Sequence, residues 1–313
     1  VLSKYNFNHS LKPSIKEFEL TMKGILKPRE AAEENSCMEI DDFCTDGRNV
    51  YVLARRKHTT SMSEYRIFMF DEATGDMLHI SPKLGTGDDL AFGYELVDMK
   101  MHGGSPTMIK KEKRGSFVCS YNPKTKSLSI QKKIEENADA ILPFMRDFIV
   151  LSQNSFYMNG RKIHSSNSDL SGFLHVAERN NILFYDTESS LHGFEIGGRR
   201  QETLSSQWCI NDVVELRNSG MQIITGVKGK GIEVSYYENS AAFFDNHAAT
   251  YMIEDEKLSK LSRIFAANPN LILGLRNPDY FVAIYHDKTD YLIKEIGITH
   301  FNAYGGKMVR HGI

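Results

Sequence analysis

The chain has 313 residues, 41% of them hydrophobic, and its 38 basic and 40 acidic side chains leave a formal net charge of −2. That length can bury a large core, while the near-cancelling charge excludes a surface given over wholly to nucleic acid or to a strongly acidic partner. Cys37, Cys44, Cys119 and Cys209 lack the paired spacing of a zinc site and the density of a disulfide scaffold, which points to reduced thiols in an intracellular, cytoplasmic or nuclear protein.

The opening residues, Val1 to Pro13, are polar and read as an arm. Ile15 to Leu26 alternates apolar and polar side chains as a strand does. Pro28 and the run from Arg29 to Glu34 have the makings of a short helix with proline at its first position. Residues 1–37 are thus expected to hold an arm, a closing strand and a short helix. No run is long and apolar enough to span a bilayer, so no membrane span is expected.

From residue 38 onward the pattern repeats. Met38 to Thr45, Val50 to Arg55, Tyr65 to Phe70 and Met77 to Ile80 are four short strand-like runs, with Asp46-Gly47 and the polar stretch Lys57 to Ser63 as turns. Similar quartets cover Glu95 to Ile134, Ala140 to Ile163, Gly172 to Ile196, Ile210 to His247 and Leu261 to Ile296. Turn residues punctuate them at His102 to Pro106, Asn159-Gly160, Asn180-Asn181, Ser219-Gly220 and Asn268-Pro269-Asn270. Ile298 to Val309 supplies half a unit more around Gly305-Gly306.

Within the quartets one hairpin recurs: an apolar, aromatic-rich strand, an Asp or Asn, a few turn residues, and a second strand. It is seen at Ile67 to Ile80, Val118 to Ile134, Ile182 to Ile196 and Phe281 to Ile296. Taking Asp71, Asn122, Asn159, Asp186, Asn239 and Asp287 as equivalent strand ends gives most steps near the roughly 40 to 50 residues of a propeller blade, with one short step before Asp186. The expected fold is therefore all-β: one β-propeller of six or seven four-stranded blades over residues 38–313, closed by strands from the two ends of the chain. Two stacked sheets of a β-sandwich are the structural rival.

Asp71-Glu72-Ala73-Thr74-Gly75, Asp186-Thr187-Glu188 and Asp287-Lys288-Thr289 carry a closer likeness. This "strand, Asp, small polar pair, strand" turn resembles the outer hairpin of WD-repeat propellers. The chain departs from that family in having no Trp-Asp pair, since its one tryptophan, Trp208, precedes Cys209, and no opening Gly-His pair.

Catalytic signatures are few. There is no His-Glu-x-x-His, no Gly-x-Ser-x-Gly elbow and no phosphate loop; Gly305-Gly306-Lys307 is followed by Met308 where a hydroxyl would be needed. The segment Gly226 to Gly231, with Lys228 and Lys230 among its glycines, has the composition of a phosphate cradle. It is flanked by strand-like runs rather than followed by a helix, which reads as a hairpin loop. Asp41 and Asp42, as strand neighbours, would point to opposite faces and so do not form a catalytic pair. Asp88-Asp89 and Glu254-Asp255-Glu256 read as solvated loop charges. No catalytic residue, metal ligand or cofactor is assigned.

The remaining chemistry is basic. Arg55, Arg56 and Lys57; Lys110, Lys111, Lys113 and Arg114; Arg199 and Arg200; and Lys228 and Lys230 fall at strand ends or in loops, where a propeller gathers side chains onto its two faces. Solvated charge is the plain reading of each cluster, and a surface for partner peptides is the functional one. Aromatic residues that would stack bases are not interleaved, so nucleic acid is possible without being favoured. The sequence thus leads to a non-catalytic interaction platform, a module of a multi-subunit assembly that binds other proteins through its loop faces. The alternative is a propeller hydrolase or lyase with a central-channel site.

Overall fold

The computed structural model describes residues 2–6, 14–18, 39–57, 63–84, 94–113, 115–134, 137–205, 208–227, 229–258, 261–276, 280–287 and 290–297. The helix expected from Pro28, Asp88-Asp89, most of the Lys57 to Ser63 loop, and the tail from Ile298 lie outside them. So do Arg114 and Lys228. Two compact units emerge, Val1–Asp139 and Ala140–His311.

In the first unit, β1 (Leu2–Asn6) and β2 (Ser14–Phe18) form an antiparallel pair. Ser14–Phe18 thus has a partner of its own within the N-terminal segment. The first four-stranded sheet is β3 (Glu39–Thr45), β4 (Asn49–Lys57), β5 (Ser63–Asp71) and β6 (Met77–Ile80); the second is β7 (Tyr94–His102), β8 (Ser105–Glu112), β9 (Gly115–Asn122) and β10 (Ser127–Ile134). Gly103 and Gly104, both at positive φ, make the β7–β8 turn, a conformation that glycine adopts without Cβ strain.

The second unit holds four more sheets. They are β11 (Ala140–Phe144), β12 (Asp147–Ser152), β13 (Ser155–Met158) and β14 (Arg161–Ser165); β15 (Leu170–Ala177), β16 (Ile182–Thr187), β17 (Ser190–Glu195) and β18 (Gln201–Ser205); β19 (Trp208–Glu215), β20 (Met221–Val227), β21 (Gly231–Tyr237) and β22 (Ala249–Glu254); and β23 (Arg263–Asn268), β24 (Leu271–Arg276), β25 (Tyr280–His286) and β26 (Tyr291–Gly297). A five-residue helix, α1 (Ser240–Phe244), sits between β21 and β22, where the side chain of Asn239 accepts the Ala242 N–H at 2.9 Å. Asx residues do this because they satisfy one of the orphan amides of a helix start.

Every described sheet of four is an antiparallel meander, its strands in chain order. Among the described residues six such sheets are present, within the expected range of six or seven. Two details differ from the sequence reading. Asp186 lies inside β16, a second strand, so it is not equivalent to Asp71 or Asn122, which end third strands; the equivalent end in that sheet follows Glu195. The hairpin Ile182 to Ile196 accordingly joins second and third strands, whereas the other three join third and fourth. Correcting the alignment removes the short step. The fourth four-stranded sheet in chain order also extends its unit past Ile196 to β18, which the apolar pattern does not mark.

The second strands are buried on both faces: Val50, Tyr51, Val52, Leu53 and Ala54 in β4, and all six residues of β16. This is why they read as continuous apolar runs instead of alternating ones. In the first unit, Tyr51, Leu53, Tyr65 and Ile67 of one sheet pack with Leu96, Met99, Met108 and Tyr121 of the next, and Val50, Val52, Phe68 and Phe70 cluster on the opposite face. In the second unit, equivalent layers join β11–β14 to β15–β18, then β15–β18 to β19–β22 with Phe243 inserted, then β19–β22 to β23–β26. Each fully buried aliphatic or aromatic side chain contributes about 1.5–3 kcal/mol of transfer free energy, so the layers between sheets are the main source of stability.

Candidate functional site

A meander places its second–third connection at one end of the sheet and its first–second and third–fourth connections at the other. Arg55, Arg56 and Lys57 end β4, Lys110 and Lys111 end β8, Lys113 lies in the β8–β9 turn, and Lys230 lies in the β20–β21 turn. These clusters therefore share the second–third end of their own sheets. Arg199 and Arg200 lie between β17 and β18 and so occupy the other end.

Their surroundings differ in detail. Arg55 forms an ion pair with Asp41 at 2.9 Å, and Arg56 is only 6% exposed. Lys110 pairs with Glu112 at 2.7 Å and lies over the Tyr94 ring, 5.1 Å from its centroid, a position in which the ring's π face attracts the ammonium. Lys111 reaches Asp139 at 3.2 Å, and Lys113 is exposed in its turn. Arg200 pairs with Glu195 at 3.1 Å and lies 4.7 Å from the Phe244 centroid of α1; its hydrogen bond holds the Glu195 carboxyl below its usual value. Arg199 is exposed. The Lys111–Asp139 and Arg200–Glu195 pairs, each with one partner well exposed, are worth little to stability.

Lys230 borders a cleft of about 580 Å³ with Gly229, Glu254, Asp255 and Glu256. Three acidic residues facing one lysine make a poor phosphate cradle, and β20 and β21 flank the turn as the hairpin reading expects. Gly231 has φ +145° and a hypothetical Cβ there would lie 2.1 Å from the Ile253 carbonyl oxygen. The glycine serves strand approach.

The carboxylates and histidines are occupied between strands. Asp42 accepts the Phe43 N–H at 2.8 Å and, from the first strand of the next sheet, the Met99 N–H at 2.7 Å. Asp212 repeats the arrangement in the second unit, accepting Val213 N–H at 2.8 Å and Ala266 N–H at 2.6 Å. Asp41 instead pairs with Arg55, at the irregularity that interrupts the β3–β4 register between Ile40 and Asp42. Asp186 is buried, which pushes its carboxyl up, and it accepts the Phe173 N–H at 2.8 Å.

Three histidine–tyrosine contacts tie neighbouring sheets in a like manner. His79 Nε2 lies 3.0 Å from the Tyr121 hydroxyl, His164 Nε2 lies 2.7 Å from the Tyr185 hydroxyl, and His286 Nδ1 is hydrogen-bonded to the Tyr251 hydroxyl. Burial lowers all three imidazoles, His286 to about 4, because the charged ring cannot be solvated there. None of these groups was assigned a role from sequence. For the aspartates the available signal was a polar pair flanked by apolar residues inside a first strand, as in Ile40-Asp41-Asp42-Phe43 and Ile210-Asn211-Asp212-Val213. Among the described residues no group of three or more His, Cys, Asp or Glu is arranged to hold a metal ion.

These observations define the class. No family model and no curated protein sequence matches the chain. Solved structures do: YCF48 bound to D1 peptide is 9% identical, with a TM-score of 0.54 over 83% of this chain and 82% of that one. The complex of KlAtg21 with the coiled-coil of AgAtg16 is 12% identical, with a TM-score of 0.52 over 80% and 81%. At such identities the likeness carries the fold alone. Together with the six meander sheets among the described residues it makes the chain an all-β protein of the β-propeller class. Among the described residues no helix is long and apolar enough to cross a membrane.

Proposed function

We propose that the protein is a non-catalytic platform that binds peptides or proteins through the loop ends of its blades, as a module of a larger intracellular assembly in the cytoplasm or nucleus. The observation that carries this reading is the gathering of basic residues at one end of two adjacent blades, Arg55 to Lys57 and Lys110 to Lys113, in a chain of net charge −2. The buried aspartates and histidines, by contrast, serve contacts between strands. Propellers of like fold were solved with a D1 peptide and with a coiled-coil, which supports recognition of protein segments. Residues 38–313 would form the propeller, with a WD-repeat-like outer hairpin as its recurring unit, and residues 1–37 an N-terminal arm, a closing strand and a short helix.

The test is cross-linking of the full chain in native extract, comparing wild type with the doubly substituted Lys111→Glu, Lys113→Glu protein. Loss of the recovered partners from the variant, at unchanged circular dichroism, is the expected result. Partner recovery that ignores the charge reversal, or nuclease-sensitive recovery that marks nucleic acid as the bridge, would overturn it.

A further inference from the structure

The outer edge of the second blade differs from the other outer edges. β10 is the last strand of its sheet, paired on one side with β9. In an antiparallel pair alternate residues turn their N–H and C=O groups away from the partner, and among the described residues no strand pairs with the far side of β10, which leaves that hydrogen-bonding ladder as an edge. At eight residues β10 is the longest of the six outer strands; β6, β14, β18, β22 and β26 have four, five, five, six and seven. Near its centre Ile130 is 60% exposed.

Charge selects what could use this edge. From Asn122 to Ile134 the chain carries Lys124, Lys126, Lys132 and Lys133 and no acidic residue. One lysine pair lies in the turn before the strand and the other toward its end, so positive charge brackets Ser127 to Gln131. A second copy of the same strand would bring like charges together in either orientation, and the bulge between Ile130 and Lys132 further spoils self-pairing. An acidic strand meets neither obstacle at the stretch before the bulge.

We propose that the edge of β10 accepts an extended segment of another protein as a fifth strand, with acidic residues at both ends of that segment and a β-branched or aliphatic residue beside Ile130. This rests on the platform reading and names a second surface for it. The segment would gain backbone hydrogen bonds along Ser127 to Gln131, cover Ile130, and place its carboxylates near the lysine pairs.

The probe is a fluorescein-labelled peptide, Glu-Asp-Thr-Val-Thr-Val-Thr-Asp-Glu, titrated with the full chain and read by fluorescence polarisation. Saturable binding is expected. Ile130→Glu should weaken it at least about tenfold, equivalent to about 1.4 kcal/mol, and amides of residues 127–131 should gain protection from hydrogen exchange. The same peptide N-methylated at alternate residues should lose binding, because its donors are gone while its charge is kept. Equal binding of the methylated peptide, no binding of the parent peptide, or self-association of the chain through β10 would each overturn the proposal. Cross-linking separates the two readings. If Lys111→Glu, Lys113→Glu loses partners and Ile130→Glu keeps them all, the edge proposal falls and the platform stands; if neither loses partners, both fall.

Discussion

Replacing His286 by Gln should change how stability responds to acid. The imidazole is 4% exposed, is hydrogen-bonded through Nδ1 to Tyr251 of the preceding sheet, and has no partner at Nε2 among the described residues. Burial lowers it from 6.5 to about 4, with the nearby Asp287 carboxylate opposing that shift. In the unfolded chain the ring titrates near its ordinary value, so between these limits the unfolded state binds the extra proton. The folded state therefore keeps its full advantage above pH 6.5, loses it progressively as pH falls toward 4, and loses no more below that. At about 1.4 kcal/mol per pKa unit the loss from this ring is at most roughly 3.5 kcal/mol. Urea unfolding at half-unit steps from pH 7.5 to 4 provides the assay. His286→Gln retains an amide able to bond Tyr251 and removes the titration, so its stability should fall less steeply with acid than that of wild type. Parallel profiles for the two proteins would refute the assignment of a buried neutral imidazole.

Two further perturbations test the backbone and the contacts between blades. Asp212→Ala strips the acceptor from the buried Val213 and Ala266 N–H groups and should cost about 1–3 kcal/mol, with faster hydrogen exchange at residues 263–268 and partial recovery in Asp212→Asn. Gly231→Ala forces an L side chain at φ +145° onto the Ile253 carbonyl and should cost more than the roughly 1–3 kcal/mol of backbone strain alone. Gly229→Ala, at φ +73° with nothing within 4 Å of the added carbon, should cost less; equal thermal midpoints for the two variants would contradict the close approach.

Much of the architecture was legible because turns announce themselves. Asn159-Gly160 and Ser219-Gly220 supply residues that tolerate positive φ, and Asn159, Gly160 and Ser219 adopt it. Strands buried on both faces gave apolar runs, so their positions were clear while their rank within each blade was not. Asp186 shows the limit: an aspartate after an aromatic run reads as a strand end, yet its carboxylate accepts the Phe173 N–H from the neighbouring strand, which lets it sit inside a second strand. The sequence reading located basic residues without showing all their neighbours: Glu112 and Glu195 lie close in sequence to Lys110 and Arg200, but Asp139 reaches Lys111 from 28 residues away. The same holds for Asp42 and Asp212, whose acceptor roles depend on amides 57 and 54 residues away.

The strand order within each four-stranded sheet runs without exchange or crossover. Each such sheet can consequently assemble from a stretch of polypeptide that has already left the ribosome, with short loops to close and little ordering entropy beyond its own residues. Within each unit a nascent chain would then add one sheet at a time, each new arrival covering the apolar surface left bare by the last, and a fault in synthesis would damage a single increment instead of scrambling distant pairings.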